Sequence, residues 1–315
     1  MLELMLGKDL VNMLNTDDLL ACDPGCLIKI NEPLSQYTTF KIGGNADYVV
    51  EPSCIAGVIE ILHQCKNGNV PYVVLGNGSN VLISDSGIRG VIVRLAENFS
   101  SLEQSEEVLI VSSGILLSQI AQHAKKANLT GFEFASGIPG TLGGAVFMNA
   151  GAYGGEMKDV VLWCEALTPE GDVVRLAPEE MAFGYRTSLF KTQDLIILRC
   201  ALKLAYGHKD DIESIMVELT ERRVSKQPLE LPSAGSTFKR PVGYFAGQLI
   251  ETSGLRGLTY GGAQVSQKHC GFVVNVGGAT CKDVLTLIKM IQKIVYDTHG
   301  VWLEREVRII GDPMG

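Results

Sequence analysis

The sequence predicts an α+β protein, a two-part α/β lobe followed by a smaller α/β lobe. Length, periodicity and the placement of glycine predict it. At 315 residues the chain exceeds the roughly 250–300 at which a single core stops growing. Strand-like runs alternate with helical ones over 37–205, and the character changes near Gly207. Glycine, 35 of 315 residues, stands at roughly 11% against a usual value of about 7%. It is clustered rather than periodic, as in loops where backbone must approach something closely.

Residues 1–30 read as a lead-in with a short helix, broken at Asp23, Pro24 and Gly25. Tyr48-Val49-Val50 reads as a strand ahead of a helix on Ile55, Val58, Ile59 and Leu62, with Ser53 as its N-cap and Gly68 as its close. Val70 to Leu75 and Val81 to Ile83 read as strands flanking a glycine-rich turn, and Val91 to Leu95 as another. These fall in the larger lobe, 31–205, with parts at 31–95 and 96–205. In its second part, strands at Val108 to Val111, Val161 to Leu167 and Leu195 to Leu204 alternate with helices, notably Ser118 to Ala127. A glycine-rich segment, 137–155, interrupts them. The smaller lobe, 206–300, opens on a helix with Ile212, Ile215, Met216 and Leu219 on one face, then a Pro-containing loop from Gln227 to Pro232. Val284, Leu287, Ile288, Ile291, Ile294 and Val295 mark a long helix ending before Gly300. Alternation from Val301 to Ile310 predicts a last strand, in the segment 301–315, at the junction of the lobes.

Lys and Arg total 27 against 35 Asp and Glu, a net charge of −8. A general nucleic-acid or anionic-membrane binder needs a basic face, so neither partner is expected. Eight Cys lack metal-site spacing, Cys22 and Cys26 forming an isolated pair, so no metal and reduced structural thiols are expected. Met1 to Leu14 carries Glu3, Lys8 and Asp9 and has no signal-peptide core. No apolar run nears the ~20 residues of a membrane helix. The expectation is a cytoplasmic protein, with a monomer favoured.

Gly76-Asn77-Gly78-Ser79-Asn80 follows a strand and invites a dinucleotide reading. The Rossmann fingerprint, however, needs a third glycine and a helix start where Val81 opens a strand. A P-loop pattern is absent too. A second loop, Gly137-Ile138-Pro139-Gly140-Thr141-Leu142-Gly143-Gly144, continues to Asn149, Gly151, Gly154 and Gly155. Successive backbone N–H groups in so glycine-rich a stretch can line a concavity suited to a diphosphate; the same glycines also suit a tight turn system. A third loop, Thr38 to Gly44, tips the reading toward one long bound dinucleotide.

The series Tyr37 to Gly44, Leu75 to Asn80, Ile138 to Gly155, Tyr185-Arg186-Thr187-Ser188, Ser233 to Lys239 and Leu303 to Arg308 resembles the UDP-N-acetylenolpyruvoylglucosamine reductase family, in order, from about 30 to 311. The resemblance implies an FAD-binding domain of the vanillyl-alcohol-oxidase type and a smaller substrate-binding domain. It implies non-covalent FAD held by Thr39, Lys41, Gly43, Gly76, Asn77, Gly78, Ser79, Asn80, Ser136, Gly137, Pro139, Gly140, Thr141, Gly143, Gly144, Asn149 and Ala152. It further implies NADPH as reductant and the enolpyruvyl ether of a UDP-amino sugar as substrate, in peptidoglycan precursor synthesis. Only 50 positions separate Arg186 from Ser236, so the chain looks like the compact form of the family, without its inserted tyrosine loop.

The implied reaction needs a carboxylate clamp, charge stabilisation and a proton donor. Arg186 suits the clamp, since a guanidinium fork holds a carboxylate bidentately. By resemblance Ser236 donates the proton and Glu306 stabilises the enol-like charge. The residues alone do not choose Ser236 over Ser233, or Glu306 over Glu304, and pairing of these acids with Arg308 is the plain alternative. A basic cluster of Arg222, Arg223, Lys226, Lys239 and Arg240 would draw an anionic nucleotide sugar. Tyr185, Lys226, Lys239 and Arg240 are its implied contacts, with Arg222 and Arg223 better read as a solvated helix end. Two rivals are another oxidase or dehydrogenase of the same flavin fold and a non-catalytic binding module. Many relatives of the first kind attach flavin through a histidine in or near such loops, whereas His63, His123, His208, His269 and His299 all lie outside them.

Overall fold

The computed structural model describes residues 14–312. The expectations for the first 13 residues lie outside them. Contacts cluster into two units: 14–31, 47–77 and 89–221 form one, and 32–46, 78–88 and 222–312 the other. The units interleave along the chain, where the sequence reading sets a single division at 205/206. Segments 32–46 and 78–88 follow their apolar residues: Phe40, Ile42 and Leu82 are buried in one cluster with Val284, Leu287, Ile291, Leu303 and Val307.

The first unit holds two sheets. A four-stranded sheet runs in the order Leu27–Pro33, Asn45–Glu51, Ile88–Arg94, Tyr72–Leu75, the last two parallel. Val58, Ile61 and Leu62 of the helix Ile55–Asn67 pack with Tyr48, Val50, Val91 and Val93 of that sheet. This helix starts differently from expectation. Its N-cap is Cys54, with no side-chain bond, because Ser53 is drawn to Asp23: its N–H donates to one carboxylate oxygen at 2.7 Å and its hydroxyl to the other.

An antiparallel five-stranded sheet follows, in the order Val173–Leu176, Val161–Leu167, Ile196–Lys203, Val108–Ser112, Leu102–Ser105. One face, with Leu109, Val111, Cys164, Ala166, Cys200 and Leu202, is covered by the helices Leu117–Lys126 and Leu142–Met148. Leu167, Ile196 and Leu198 join the core of the four-stranded sheet. The helix Lys209–Lys226 buries Ile212 and Met216 but leaves Ile215 42% exposed, so its apolar stripe is narrower than its sequence suggests.

Glu165 makes a strong electrostatic site within this sheet. Its carboxylate accepts from Arg199 Nε at 2.5 Å and from an Arg175 terminal nitrogen at 2.6 Å. Hydrogen bonding from Arg199, then from Arg175, holds the carboxyl below its ordinary range despite burial. A depressed folded pKa gives stability present above the unfolded pKa and lost as pH falls through the folded value. Glu165→Gln is therefore expected to cost about 1–3 kcal/mol at neutral pH. The gap from the parent should close as pH drops below the ordinary carboxylate range. Urea titrations across pH check this, and a pH-independent gap would refute it.

In the second unit the helix Cys281–His299 is the centre of the core. Thr280 caps it by accepting the Asp283 N–H, and Asp85 accepts the N–H groups of Cys281 and Lys282 at 2.7 and 3.1 Å. Anions favour this end of a helix. Gly300 ends it in the left-handed conformation, φ 68°. Around it stand the helix Ala246–Thr252 and an antiparallel sheet of Thr259–Tyr260, Ala263–Val265 and Val273–Asn275.

The long C-terminal strand is shorter than the alternation suggests. Only Arg308–Ile310 is a strand, parallel to Val81–Ile83 within this unit. Ahead of it Phe238 and Arg305 form an isolated antiparallel bridge. The segment changes partner between Glu306 and Arg308, whose N–H groups donate to Thr237 and Asn80 respectively. That change breaks the period, leaving Leu303 and Val307 buried and Arg305 exposed between them.

All eight cysteines are free thiols, and burial pushes Cys26 and Cys281 up to about 12. Thiols held so high are poor nucleophiles. Among the described residues no helix is long and apolar enough to cross a membrane.

Candidate active site

In the first unit two glycine-rich loops meet. Asn77 Nδ2 donates to Pro139 O at 2.7 Å, and a Cβ at Gly76 would collide with the Thr141 hydroxyl. Thr141 caps the helix Leu142–Met148 through backbone alone, and Gly143 donates its N–H to Ser113 O at 2.9 Å. Gly137, Pro139 and Gly144 are exposed, Ser136 and Gly143 half-buried, and Gly140 and Thr141 buried. Gly151–Ala152 pairs with Gly155–Glu156 in a small hairpin. Asn149 differs from these. It is wholly buried and left-handed, φ 43°, and its side chain bonds Glu156, Gly184 O and Lys158 N–H.

Arg186 lies in the same unit. Gly184 and Thr187 exchange N–H···O bonds at 3.0 and 3.2 Å, closing a tight turn with Tyr185 and Arg186 at its tip. Arg186 has φ 53°, its guanidinium donates to Gly151 O at 2.9 Å, and its Cζ lies 5.4 Å from the centre of the Tyr185 ring. Ser188, the last residue of that motif, is buried and donates to Phe147 O at 2.7 Å.

In the second unit the loop 38–44 joins two other predicted segments. Thr39 donates its hydroxyl to Ser233 O at 2.6 Å and its N–H to Gly78 O at 3.2 Å. Gly78 has φ 62°, and a Cβ there would strike the Tyr37 carbonyl, so only glycine fits. Lys41 is left-handed and exposed, Gly43 has φ 144°, and Ser79 is half-buried. Asn80 Nδ2 donates to Glu306 O at 3.5 Å.

The same unit brings the segments that carry Ser236 and Glu306 side by side through an isolated bridge. Glu306 N–H donates to Thr237 O at 2.9 Å, and Lys239 N–H to Glu304 O at 2.8 Å, on either side of the Phe238–Arg305 bridge. Ser236 is exposed, next to Gly235 at φ 74°, while Glu306 is half-buried. Glu304 is exposed and ion-paired with Lys239. Arg240 stacks on Phe245 with its Cζ 3.9 Å from the ring centre, and Lys226 is exposed at the end of its helix.

One residue that the sequence reading missed is Ser113. It is 1% exposed, and its hydroxyl has no hydrogen-bond partner among the described residues. A Cβ on Gly143 would stand 2.8 Å from the Ser113 Cβ, so glycine keeps the loop backbone close against it. A buried hydroxyl without a protein partner, beneath a glycine cradle, is the kind of group that a polar ligand satisfies. A polar pair, Ser112-Ser113, closing an apolar strand just before Gly114, was the available signal.

Residues 46–177 match a family model described as an FAD binding domain. With the loop system above, that defines a flavin-binding oxidoreductase of α+β fold, the fold class read from the sequence. Residues 227–310 match a second, the UDP-N-acetylenolpyruvoylglucosamine reductase, C-terminal domain. The enzyme of that name from Clostridioides difficile (strain 630) is 50% identical over 304 residues, 96% of this chain and 97% of its own. That from Alkaliphilus oremlandii (strain OhILAs) is 51% identical over 289 residues, 92% of this chain and 95% of its own. The crystal structure of the Thermus caldophilus enzyme superposes with a TM-score of 0.79 at 36% identity, covering 90% of this chain and 100% of that one. The chain belongs to the UDP-N-acetylenolpyruvoylglucosamine reductase family.

Proposed function

We propose that this chain reduces the enolpyruvyl ether of UDP-N-acetylglucosamine to UDP-N-acetylmuramate, with NADPH as reductant and non-covalent FAD, in the cytoplasm as a step of peptidoglycan precursor synthesis. The observation that carries it is the backbone pairing of Thr237 with Glu306, which brings the segments that carry the Ser236 hydroxyl and the Glu306 carboxyl side by side in a member of this family. Bound FAD would supply the two-electron chemistry between NADPH and the enolpyruvyl double bond. The protein's residues do the rest. Arg186 holds the substrate carboxylate, Ser236 delivers a proton to the carbon beside it, and Glu306 stabilises the charge that develops there. The loops at 38–44, 76–80 and 136–152 hold the cofactor, with Ser113 added to the set. Lys226, Lys239, Arg240 and Tyr185 meet the sugar nucleotide, and Lys239 must share its charge between Glu304 and the diphosphate.

Anaerobic mixing tests this reading. NADPH is expected to bleach the flavin, and the enolpyruvyl substrate to restore its colour. Acid denaturation should release the flavin intact. Rapid reoxidation by oxygen alone, or flavin that stays attached to the chain, would favour an oxidase of the same fold instead.

A further inference from the structure

We propose that Asn149, acting with Glu156, is a positioning residue for Arg186 in the reaction assigned above, on whose use of Arg186 it depends. An asparagine amide offers two N–H donors and one carbonyl acceptor. Both Asn149 donors go to protein: one to Gly184 O and one to the Glu156 carboxylate, each at 2.9 Å. Its carbonyl accepts the Lys158 N–H at 3.0 Å. A wholly buried side chain so occupied is a brace, and the cofactor contact that the family resemblance implied for it is reassigned.

What it braces is the turn that carries Arg186. Gly184, whose carbonyl Asn149 grips, closes that turn with Thr187. The Arg186 guanidinium donates to Gly151 O, and Gly151 pairs with Glu156 across the small hairpin. The five residues thus form a closed ring: Arg186 to Gly151, Gly151 beside Glu156, Glu156 to Asn149, and Asn149 back to Gly184 of the turn that carries Arg186. Lys191 Nζ, donating to Arg186 O at 3.1 Å, fixes the turn from its other side. Two non-glycine residues of the ring, Asn149 and Arg186, are left-handed. Such conformations persist where surroundings over-determine them.

Glu156 adds charge as well as geometry. A bond from Lys158 Nζ at 2.9 Å, then the Asn149 amide and the Arg186 charge, keep its carboxyl ionised and below its ordinary range. A guanidinium gripping a carboxylate bidentately needs its plane fixed, and a misplacement of about 1 Å is enough to cost roughly 100-fold in rate.

Asn149→Gly tolerates the left-handed backbone and removes only the amide. Rapid mixing should show flavin reduction by NADPH within about 2-fold of the parent and reoxidation by the enolpyruvyl substrate slowed about 10–100-fold. Calorimetry should show weaker substrate binding to the oxidised protein. Glu156→Gln, a milder change, is expected to act in the same direction and carries the test if Asn149→Gly does not fold. Combined with Arg186→Lys, Asn149→Gly should add little to the loss that Arg186→Lys causes alone. Full additivity, or both half-reactions slowing alike with loss of flavin, overturns the positioning role. Unaltered reoxidation in Arg186→Lys instead sinks the assignment of Arg186, and this inference with it.

Discussion

Ser236→Ala is expected to leave flavin reduction by NADPH nearly intact and to slow reoxidation by the enolpyruvyl substrate by roughly 10²–10⁴-fold. Only the second half-reaction needs a proton at carbon. The side chain is well placed to be removed without collateral damage. Ser236 is exposed, Gly235 before it has open space where a side chain would stand, and the bond that aligns the two segments runs from Glu306 N–H to Thr237 O. Deleting one hydroxyl leaves that pairing in place, so the thermal midpoint should move little. Stopped-flow traces of the two half-reactions decide the matter. If both slow alike, Ser236 is not the dedicated donor.

Where sequence and structure agree, a local pattern sufficed. Val161–Leu167 is a strand over the residues read as one, and the helix Cys281–His299 follows its apolar spacing to the glycine that ends it. Val81 opens a strand, which disposes of the dinucleotide fingerprint as the missing third glycine suggested. Where they part, a distant partner decided. Ser53 lies within range of Asp23, 30 positions earlier, and abandons the helix cap for it. The segment after Leu303 alternates in sequence but exchanges one partner strand for another, so no single period describes it. The ring around Asn149 joins residues 149, 151, 156, 184 and 186, and no spacing rule links those positions. Arg186, Ser236 and Glu306 are candidates through motif resemblance alone; periodicity leaves Glu304 equal to Glu306.

That equality makes the second large effect a paired experiment. Glu306→Gln is expected to slow substrate-driven flavin reoxidation by roughly 10²–10³-fold, the cost of losing one preorganised group at a developing charge. Glu304→Gln should change the rate little, since an exposed ion pair contributes about 0–1 kcal/mol. The two carboxyls sit on the same short segment and differ in surroundings. Glu304 is exposed and held by Lys239; Glu306 is half-buried, its N–H and carbonyl tied to Thr237 and Asn80. Glutamine preserves the shape of the side chain and the backbone bonds, so a loss specific to position 306 reports the carboxyl itself. Flavin reduction by NADPH, which does not use that group, should survive in both variants. Equal reoxidation rates for the two would remove Glu306 from the chemistry and return the choice between the acids to where the alternation left it.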